Sequence, residues 1–238
     1  FEDLRVNVNL GIDYASSGGY SETPIGSEQS IHDTQQSGSG YHSEYTYTRL
    51  DQTLEAYVAY NKDINKHHVD AMLGYSWQRF YNASSNFSNK LSDGAVLAEY
   101  KTPKSELYLV SFFGRVNYSY DNRYMLTATL RRDGSSKFGA DHKWGNFPGI
   151  SAGWTISNEE FMEGTRHWLD NLKLRASYGI TGVIPGSSYM SLLRYDYDTS
   201  YGNYVDASGK WAPSLSPVSN ANPDLRWEKS TEYNIGLD

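Results

Sequence analysis

The first strand-like segment of the chain, residues 4–14, alternates strictly between apolar and polar side chains. The apolar set occupies the even positions and consists of Leu4, Val6, Val8, Leu10, Ile12 and Tyr14. This two-residue period predicts a β-strand with one apolar face. Comparable segments recur at a length of roughly 10 to 12 residues, about twice the mean strand of a soluble protein. At about 3.3 Å per residue and a tilt near 45°, each covers roughly 25 Å, the height of the apolar band on an outer-membrane barrel.

The same alternation predicts about eight strands in all. They lie near residues 4–14, 50–61, 69–81, 108–120, 124–131, 149–156, 172–181 and 227–237. Long polar links alternate along the chain with shorter ones. The long links are 15–44, 82–106, 132–146 and 182–226, and the shorter links are 62–67, 121–123 and 157–170. Long loops at one rim and short turns at the other are typical of outer-membrane barrels. The pattern predicts an all-β fold, an antiparallel transmembrane β-barrel segment with long extracellular loops and short periplasmic turns.

The link at 121–123 allows a prediction of register. Apolar positions are even on both flanking strands, so opposed residues must have an even sum if apolar side chains are to face each other. A three-residue loop meets this condition and opposes Tyr120 to Tyr124 and Tyr118 to Leu126. We expect Asn122 or a neighbour to adopt the left-handed conformation that such loops need.

The link at 157–170 is the one segment predicted to be helical. Ser157 and Glu160 have the spacing of a capping box, which precedes the apolar residues Phe161 and Met162. Carboxylates in the first turn of a helix offset the backbone dipole, so we expect Glu159 and Glu160 to be solvated. The simplest interpretation is a short cap on the periplasmic rim.

Composition excludes several classes of protein. Hydrophobic residues make up 38% of the chain and the mean hydropathy is -0.65, so no stretch approaches the roughly 20 apolar residues of a membrane helix. The net charge of -7 argues against nucleic-acid binding, which needs a basic face. There are no cysteines, so disulfides and thiolate metal sites are excluded. The chain begins with Phe1 and shows no signal peptide, so we expect an internal fragment of an exported protein.

The sequence predicts no catalytic, cofactor-binding or metal site. The known nucleophile, phosphate-loop and zinc-helix motifs do not occur. His67 and His68 are adjacent in a predicted turn, so their side chains should point apart and not bind one metal ion. The polar faces of the strands carry many charged and amide side chains, namely Arg5, Asn7, Asn9, Asp13, Arg115, Asn117, Arg131, Lys173 and Arg175. A soluble sandwich with the same alternation would bury the even face in a core. The long strands and the charged odd face favour a barrel with a wide, wet lumen.

The link at 182–226 is rich in aromatic residues set among Gly, Ser and Asp. Its candidate substrate contacts are Tyr195, Tyr197, Tyr201, Tyr204 and Trp211. Sugar C–H faces stack on such rings while polar neighbours bind the hydroxyls, so a carbohydrate platform is one interpretation. The other is a loop whose rings pack on one another.

Several stretches resemble one family closely. Residues 114–139 (GRVNYSYDNRYMLTATLRRDGSSKFG), the segment from Trp144 to Trp154, residues 171–179 (NLKLRASYG) and residues 222–238 (NPDLRWEKSTEYNIGLD) resemble the barrel of SusC/RagA-type TonB-dependent outer-membrane transporters. The first 100 residues agree more loosely, in hairpin layout and in Leu73-Gly74-Tyr75.

The resemblance implies a function that no single motif defines. Members of the family close a 22-stranded barrel around an N-terminal plug. They pair with a SusD-like surface lipoprotein and import glycans or peptides with force transmitted by TonB. It implies that residues 1–238 are a partial barrel domain without plug or TonB box, located in the bacterial outer membrane as a multi-pass protein and in contact with membrane lipid or lipopolysaccharide. The resemblance also places residues 131–147 at an outer loop or rim. It identifies no substrate-contact residue in this chain, because the family has no fixed motif for such contacts.

Two other hypotheses remain open on the sequence alone. One is a complete, small, eight-stranded outer-membrane barrel with a structural or adhesin role. The other is a barrel enzyme with a catalytic cluster at its rim, for which His67, His68 and His142 would be the candidates.

Overall fold

The computed structural model of the chain describes residues 3–32, 37–101, 103–165 and 167–238, and only the backbone of 99–101, 197–203, 213 and 218. The strands are β1 (Leu4–Thr23), β2 (Tyr41–Ile64), β3 (His67–Lys90), β4 (Val96–Lys101), β5 (Lys104–Tyr120), β6 (Tyr124–Ser135), β7 (Trp144–Thr155), β8 (Lys173–Val183), β9 (Arg194–Val205), β10 (Trp211–Ser219) and β11 (Glu228–Leu237). One short helix, α1 (Glu28–His32), and 3-10 helices at Ala140–His142, Ile156–Asn158 and Glu160–Thr165 complete the regular structure of these residues. The helices among them are too short and too polar to span a bilayer.

One sheet holds nine of these strands, eight of them in the order β1-β2-β3-β5-β6-β7-β8-β11. β4 pairs with β3, and β9 and β10 form a separate antiparallel hairpin. Since the strands of this order keep their order along the chain, with β4 and the β9–β10 hairpin as insertions, the sheet is a meander, as the predicted barrel segment requires. In the described residues β1 and β11 lie at opposite ends of this order, which argues against a complete eight-stranded barrel.

The chain divides into two compact units. The first comprises Phe1–Asn9, Glu55–Trp77 and Tyr108–Asp238, and the second comprises Leu10–Leu54 and Gln78–Leu107. The second contains α1 and a tight connection in which the amide of Gly40 donates to the buried Ser30 hydroxyl at 2.7 Å. Gly40 has a φ of +63°, and a Cβ there would lie 2.7 Å from the Ile25 nitrogen, so this bend requires glycine.

In the first unit the predicted register is confirmed. Tyr120 opposes Tyr124 and Tyr118 opposes Leu126. Both Asp121 and Asn122 have a φ of 53°, the left-handed conformation expected for a three-residue loop. The same parity continues into β7, where Ala152 opposes Leu126.

The even positions of β6, β7 and β8 share one apolar face. Ala128, Ile150 and Tyr178 form one row of this face across the three strands. Ile150 is 51% exposed and Ile235, on β11, is 82% exposed, so no second layer of the first unit covers the face. The only buried apolar side chains among the described residues are Phe138 and Phe147. The described part of the first unit is therefore not a sandwich with a central core.

The predicted strand lengths are wrong at the long-loop side. β2 and β3 each extend to 24 residues, β1 continues to Thr23, and β4 and the β9–β10 hairpin lie in segments predicted to be loops. Alternation marks a strand only where one face is apolar. The hydrogen-bonded ladder continues past that region, where both faces carry polar side chains and the pattern disappears.

The predicted helix at 157–170 is also wrong. This segment forms two separate 3-10 helices, and no side-chain cap bond precedes the first of them. Glu159 lies between the two with extended backbone angles (φ -76°, ψ 149°), so the turns do not join into one helix. α1, which lies in a predicted loop, was missed because five residues are too few to show a helical period.

Candidate functional site

The polar face of the first unit carries a hydrogen-bonded network. Asn117 on β5 donates its side-chain amide to Asp70 on β3 at 2.8 Å and accepts from the Thr127 hydroxyl on β6 at 2.9 Å. Arg115 adds an ion pair to Asp70 at 3.9 Å. These groups are all partly or fully accessible to solvent. The network is therefore consistent with the predicted wet lumen, since charges on this face are paired but hydrated.

Further along the same face, other predicted polar residues also have partners. The guanidinium of Arg131 donates to Asp133 at 2.7 Å and to the Ser111 hydroxyl at 2.9 Å. Arg175 pairs with the Asp238 carboxylate at 3.0 Å. In the second unit Asp13 lies 3.5 Å from Arg49.

Two groups of aromatic rings bound the aliphatic part of the apolar face in the first unit. On the turn side the ring centroids of Tyr120 and Tyr124 are 6.4 Å apart and those of Tyr124 and Trp154 are 6.5 Å apart. On the long-loop side Phe112 lies 6.1 Å from Trp144, and Tyr108 lies 6.3 Å from Trp77. Tyr108 and Tyr120 are about 40 Å apart along β5, or roughly 28 Å at a tilt of 45°. This spacing matches the aromatic girdles of outer-membrane barrels.

The β9–β10 hairpin holds the five predicted substrate contacts. Its turn is organised by Asp206, whose carboxylate accepts from the Ser208 hydroxyl at 2.7 Å, the Lys210 amide at 3.0 Å and the Ser208 amide at 2.8 Å. The Ser208 hydroxyl, followed by the two amides, holds the pKa of Asp206 below its usual range. Gly209 completes the turn with a φ of +79°. The hairpin tip is therefore an ordered structure.

The hairpin register separates the predicted contacts. Trp211 opposes Val205, whereas Tyr204 opposes Ala212, so Trp211 and Tyr204 lie on opposite faces. Both side chains are exposed, Trp211 by 73%. Beyond a register shift, Tyr195 opposes Pro217 and is exposed. The side chains of Tyr197 and Tyr201 lie outside the described residues. Trp211 and Tyr204 therefore do not share one face of the hairpin, and the five substrate contacts stay a prediction.

A small buried cluster lies at the base of this segment, and the sequence did not predict it. The ring of Trp227 lies 5.0 Å from that of Phe138 and 5.2 Å from that of Phe147, centroid to centroid. The Trp227 indole N–H donates to the Lys143 carbonyl at 3.1 Å. The Lys137 ammonium donates to the carbonyls of Pro185 and Gly186 at 2.7 and 2.8 Å. The β6–β7 loop is thereby fixed to both ends of the segment that carries the hairpin.

The glycines around this cluster show how closely it is packed. A Cβ on Gly182 would overlap the Phe147 ring, and a Cβ on Gly145 would lie 2.5 Å from it. The aromatic residues of the cluster lie in three of the stretches that carry the family resemblance, 114–139, 144–154 and 222–238. Their mutual contact was not visible because they are distant in sequence.

On the turn side, Glu159 is buried and multiply bonded, which corrects the prediction that it is solvated. Its carboxylate accepts from the Tyr124 hydroxyl at 2.7 Å and the Trp154 indole N–H at 2.9 Å, and pairs with Arg123 at 3.2 Å. The hydrogen bond from Tyr124, then that from Trp154, holds the pKa of Glu159 below its usual range. Glu160 is exposed, as predicted.

The histidines do not converge. His67 Nδ1 lies 2.7 Å from the Tyr118 hydroxyl, and His68 Nδ1 lies 2.6 Å from the Asp63 carboxylate, so the two side chains point to different partners as predicted. His142 pairs with Asp224 at 3.4 Å.

An antiparallel meander with one exposed, aromatic-bounded apolar face and one hydrated polar face defines a β-barrel of the outer membrane. The family described as TonB dependent receptor-like, β-barrel matches residues 2–238, and the chain belongs to it. The predicted class and outer-membrane location are thereby confirmed, and members of the family are transporters rather than enzymes.

Similar proteins support the same assignment. The chain is 34% identical to the TonB-dependent receptor SusC of Bacteroides thetaiotaomicron over 99% of its length, and 36% identical to the TonB-dependent receptor P39 of Formosa agariphila over 82%. These matches cover 23% and 19% of the two relatives. A solved structure of the RagAB peptide transporter matches the whole chain with a TM-score of 0.80 at 25% identity, covering 26% of that protein. The chain thus spans about a quarter or less of the proteins it resembles.

Proposed function

We propose that these 238 residues form part of the barrel wall of an outer-membrane importer that takes up glycans or peptides in a TonB-dependent manner. The observation that carries the proposal is the match of the chain, from residue 2 to its last residue, to the TonB-dependent receptor barrel family. The similarity to SusC and to the RagAB peptide transporter supports import. Residues 1–238 are then a partial barrel domain.

The two faces of the sheet have different roles in this proposal. The apolar face contacts membrane lipid, including lipopolysaccharide on the long-loop side, since it is exposed and bounded by aromatic rings at both ends. The polar face lines a hydrated lumen, since its charges are paired yet accessible. A SusD-like surface lipoprotein assists uptake on the long-loop side, and TonB acts through a region outside these 238 residues.

The β9–β10 hairpin contributes a cargo contact through Trp211. Its indole is exposed on an ordered hairpin, and rings on polar loops bind sugar faces or apolar peptide side chains by stacking. Tyr204 lies on the other face of the same hairpin and provides a matched control.

The test uses cells that produce the intact protein and its partner, with radiolabelled oligosaccharides and oligopeptides as cargoes. Uptake of one class that stops when TonB is inactivated would support the proposal. Trp211→Ala is expected to weaken binding of that cargo about tenfold, equivalent to about 1.4 kcal/mol, while Tyr204→Ala leaves it nearly unchanged. Equal effects of the two variants would contradict a contact through one face, and uptake independent of TonB would contradict the proposed function.

A further inference from the structure

The β7–β8 connection, residues 156–172, docks on the apolar side of the sheet and not beneath its polar side. Glu159 accepts hydrogen bonds from the Tyr124 hydroxyl and the Trp154 indole. Tyr124 and Trp154 oppose each other on the apolar face, with rings stacked at an interplanar angle of 14°. Because the tips of both rings converge on one carboxylate, the connection is held at the turn-side end of the apolar face.

This connection presents two uncovered aromatic side chains. Phe161 is 69% exposed and Trp168 is 67% exposed. The described backbone beside Trp168 is hydrogen-bonded, because the Thr165 carbonyl accepts the amides of Trp168 and Leu169 at 3.1 and 3.0 Å. The Thr165 hydroxyl also donates to the Met162 carbonyl at 2.8 Å. Hydrogen bonds therefore hold described backbone next to each ring, which lowers the cost of ordering the rings when they bind a partner.

We propose that the β7–β8 connection is an interfacial anchor, in which Phe161 and Trp168 are inserted into the phospholipid headgroup layer on the turn side of the barrel. The inference rests on the proposed contact of the apolar face with lipid, because the connection continues that face beyond Tyr124 and Trp154. The indole of Trp168 has a polar N–H edge and is favoured at the boundary between hydrocarbon and water, and Phe161 adds an apolar ring on the same connection. The anchor extends the turn-side girdle from the strand ends onto a loop.

The charge of the connection specifies the kind of lipid surface. It contains four carboxylates, Glu159, Glu160, Glu163 and Asp170, against the cation Arg166. An acidic segment is repelled by an anionic leaflet, whereas a zwitterionic headgroup layer accepts it. The partner is therefore a zwitterionic phospholipid leaflet.

The experiment places single fluorescent labels on the intact protein in phosphatidylcholine nanodiscs, after any cysteines outside this cysteine-free chain are replaced. Labels at Phe161→Cys and Trp168→Cys test the anchor. A label at Ile150→Cys serves as the lipid-exposed reference, and one at Ala207→Cys, in the β9–β10 turn, as the aqueous reference. Quenchers are spin-labelled lipids with the nitroxide near the headgroup or deep in the acyl chain, and iodide in water.

Shallow spin-labelled lipid is expected to quench positions 161 and 168 several-fold more than position 207, and deep spin-labelled lipid is expected to quench position 150 most. Quenching of 161 and 168 by iodide alone, with 150 still quenched by lipid, would overturn the anchor and leave the lipid contact of the apolar face intact. Protection of 161 and 168 from both quenchers would also overturn it, because a protein would then cover the rings. Loss of lipid quenching at 150 as well would contradict the lipid contact itself.

The role of Glu159 as the positioning residue has its own test. Glu159→Gln removes the charge that holds the connection against Tyr124, Trp154 and Arg123, so lipid quenching at position 168 is expected to fall. Glu160→Gln, on the exposed neighbour, should leave quenching unchanged. Equal quenching in both variants would overturn the positioning role.

Discussion

At the residue scale, Glu159 shows how one carboxylate organises a rim. Its partners come from the β5–β6 turn, the start of β6 and the end of β7, and their hydrogen bonds favour the charged form. With the pKa of Glu159 lowered by folding, its contribution to stability is present above the ordinary pKa of about 4.3 and is lost as pH falls through the folded value.

We therefore expect Glu159→Gln to lower the urea midpoint of the detergent-solubilised protein at pH 7 and to reduce its loss of stability between pH 7 and pH 3. Unfolding curves followed by tryptophan fluorescence at several pH values measure both effects. Glu160→Gln is the matched control, and an unchanged pH dependence in Glu159→Gln would contradict the role assigned to the carboxylate.

A second residue-scale prediction concerns the packing of Phe147. Gly182→Ala should destabilise the protein by about 1–3 kcal/mol, because the new methyl group overlaps the Phe147 ring within a buried cluster. Gly179→Ala, on the same strand with open space at the same atom, should be close to neutral. Thermal or urea unfolding of the two variants provides the comparison, and similar stability would show that the ring moves aside freely.

At the scale of single elements, the β5–β6 turn combines two left-handed residues with an ion pair. Lys66 pairs with Asp121 at 2.8 Å, and the hydrogen bond from this lysine lowers the pKa of Asp121.

Asn122→Val should destabilise the hairpin by about 1–2 kcal/mol, since a β-branched residue disfavours a positive φ, while Asn122→Gly should be tolerated. Urea unfolding measures the difference, and equal stability of the two variants would contradict the backbone geometry of this turn.

The strands also show which features of an element the sequence pattern can predict and which it cannot. The parity of apolar positions determined the register of β5 on β6, because a one-residue slip would move Tyr120 and Leu126 to the polar face. The same parity could not predict how far β2 and β3 extend, because both faces are polar at their far ends. It also missed β9 and β10, and in β10 the residues Pro213 and Pro217 interrupt the strand signal.

At the scale of the whole molecule, the two faces should differ sharply in their tolerance of charge. Ile150→Arg, on the apolar face, is expected to cost about 2–4 kcal/mol if that position lies near the bilayer midplane. Ser151→Arg, one residue later on the polar face, should cost little. Equilibrium folding into phospholipid vesicles measures both, and equal losses would contradict the assignment of lipid to the even face.

The class of fold and the location in the membrane were predictable because both follow from an average over many strands. The candidate site was harder to predict from the sequence, since its geometry depends on contacts between distant segments. Trp227 meets Phe138 and Phe147 only because β7, β8 and β11 pair side by side. Glu159 departs from its expected cap because Tyr124 and Trp154 bind it. Tertiary contacts of this kind leave no periodic signal in the sequence.

The pairing of β8 with β11 has a consequence for how such a protein changes over evolutionary time. The two strands form an unbroken ladder from Leu174↔Leu237 to Val183↔Glu228, although residues 184–227 intervene. Closing a long insertion costs only about 0.6 kcal/mol for each doubling of its length. Descendants can lengthen, shorten or replace that insertion without disturbing the ladder. Change in the insertion that carries the β9–β10 hairpin is therefore decoupled from the pairing that holds the strands in the sheet.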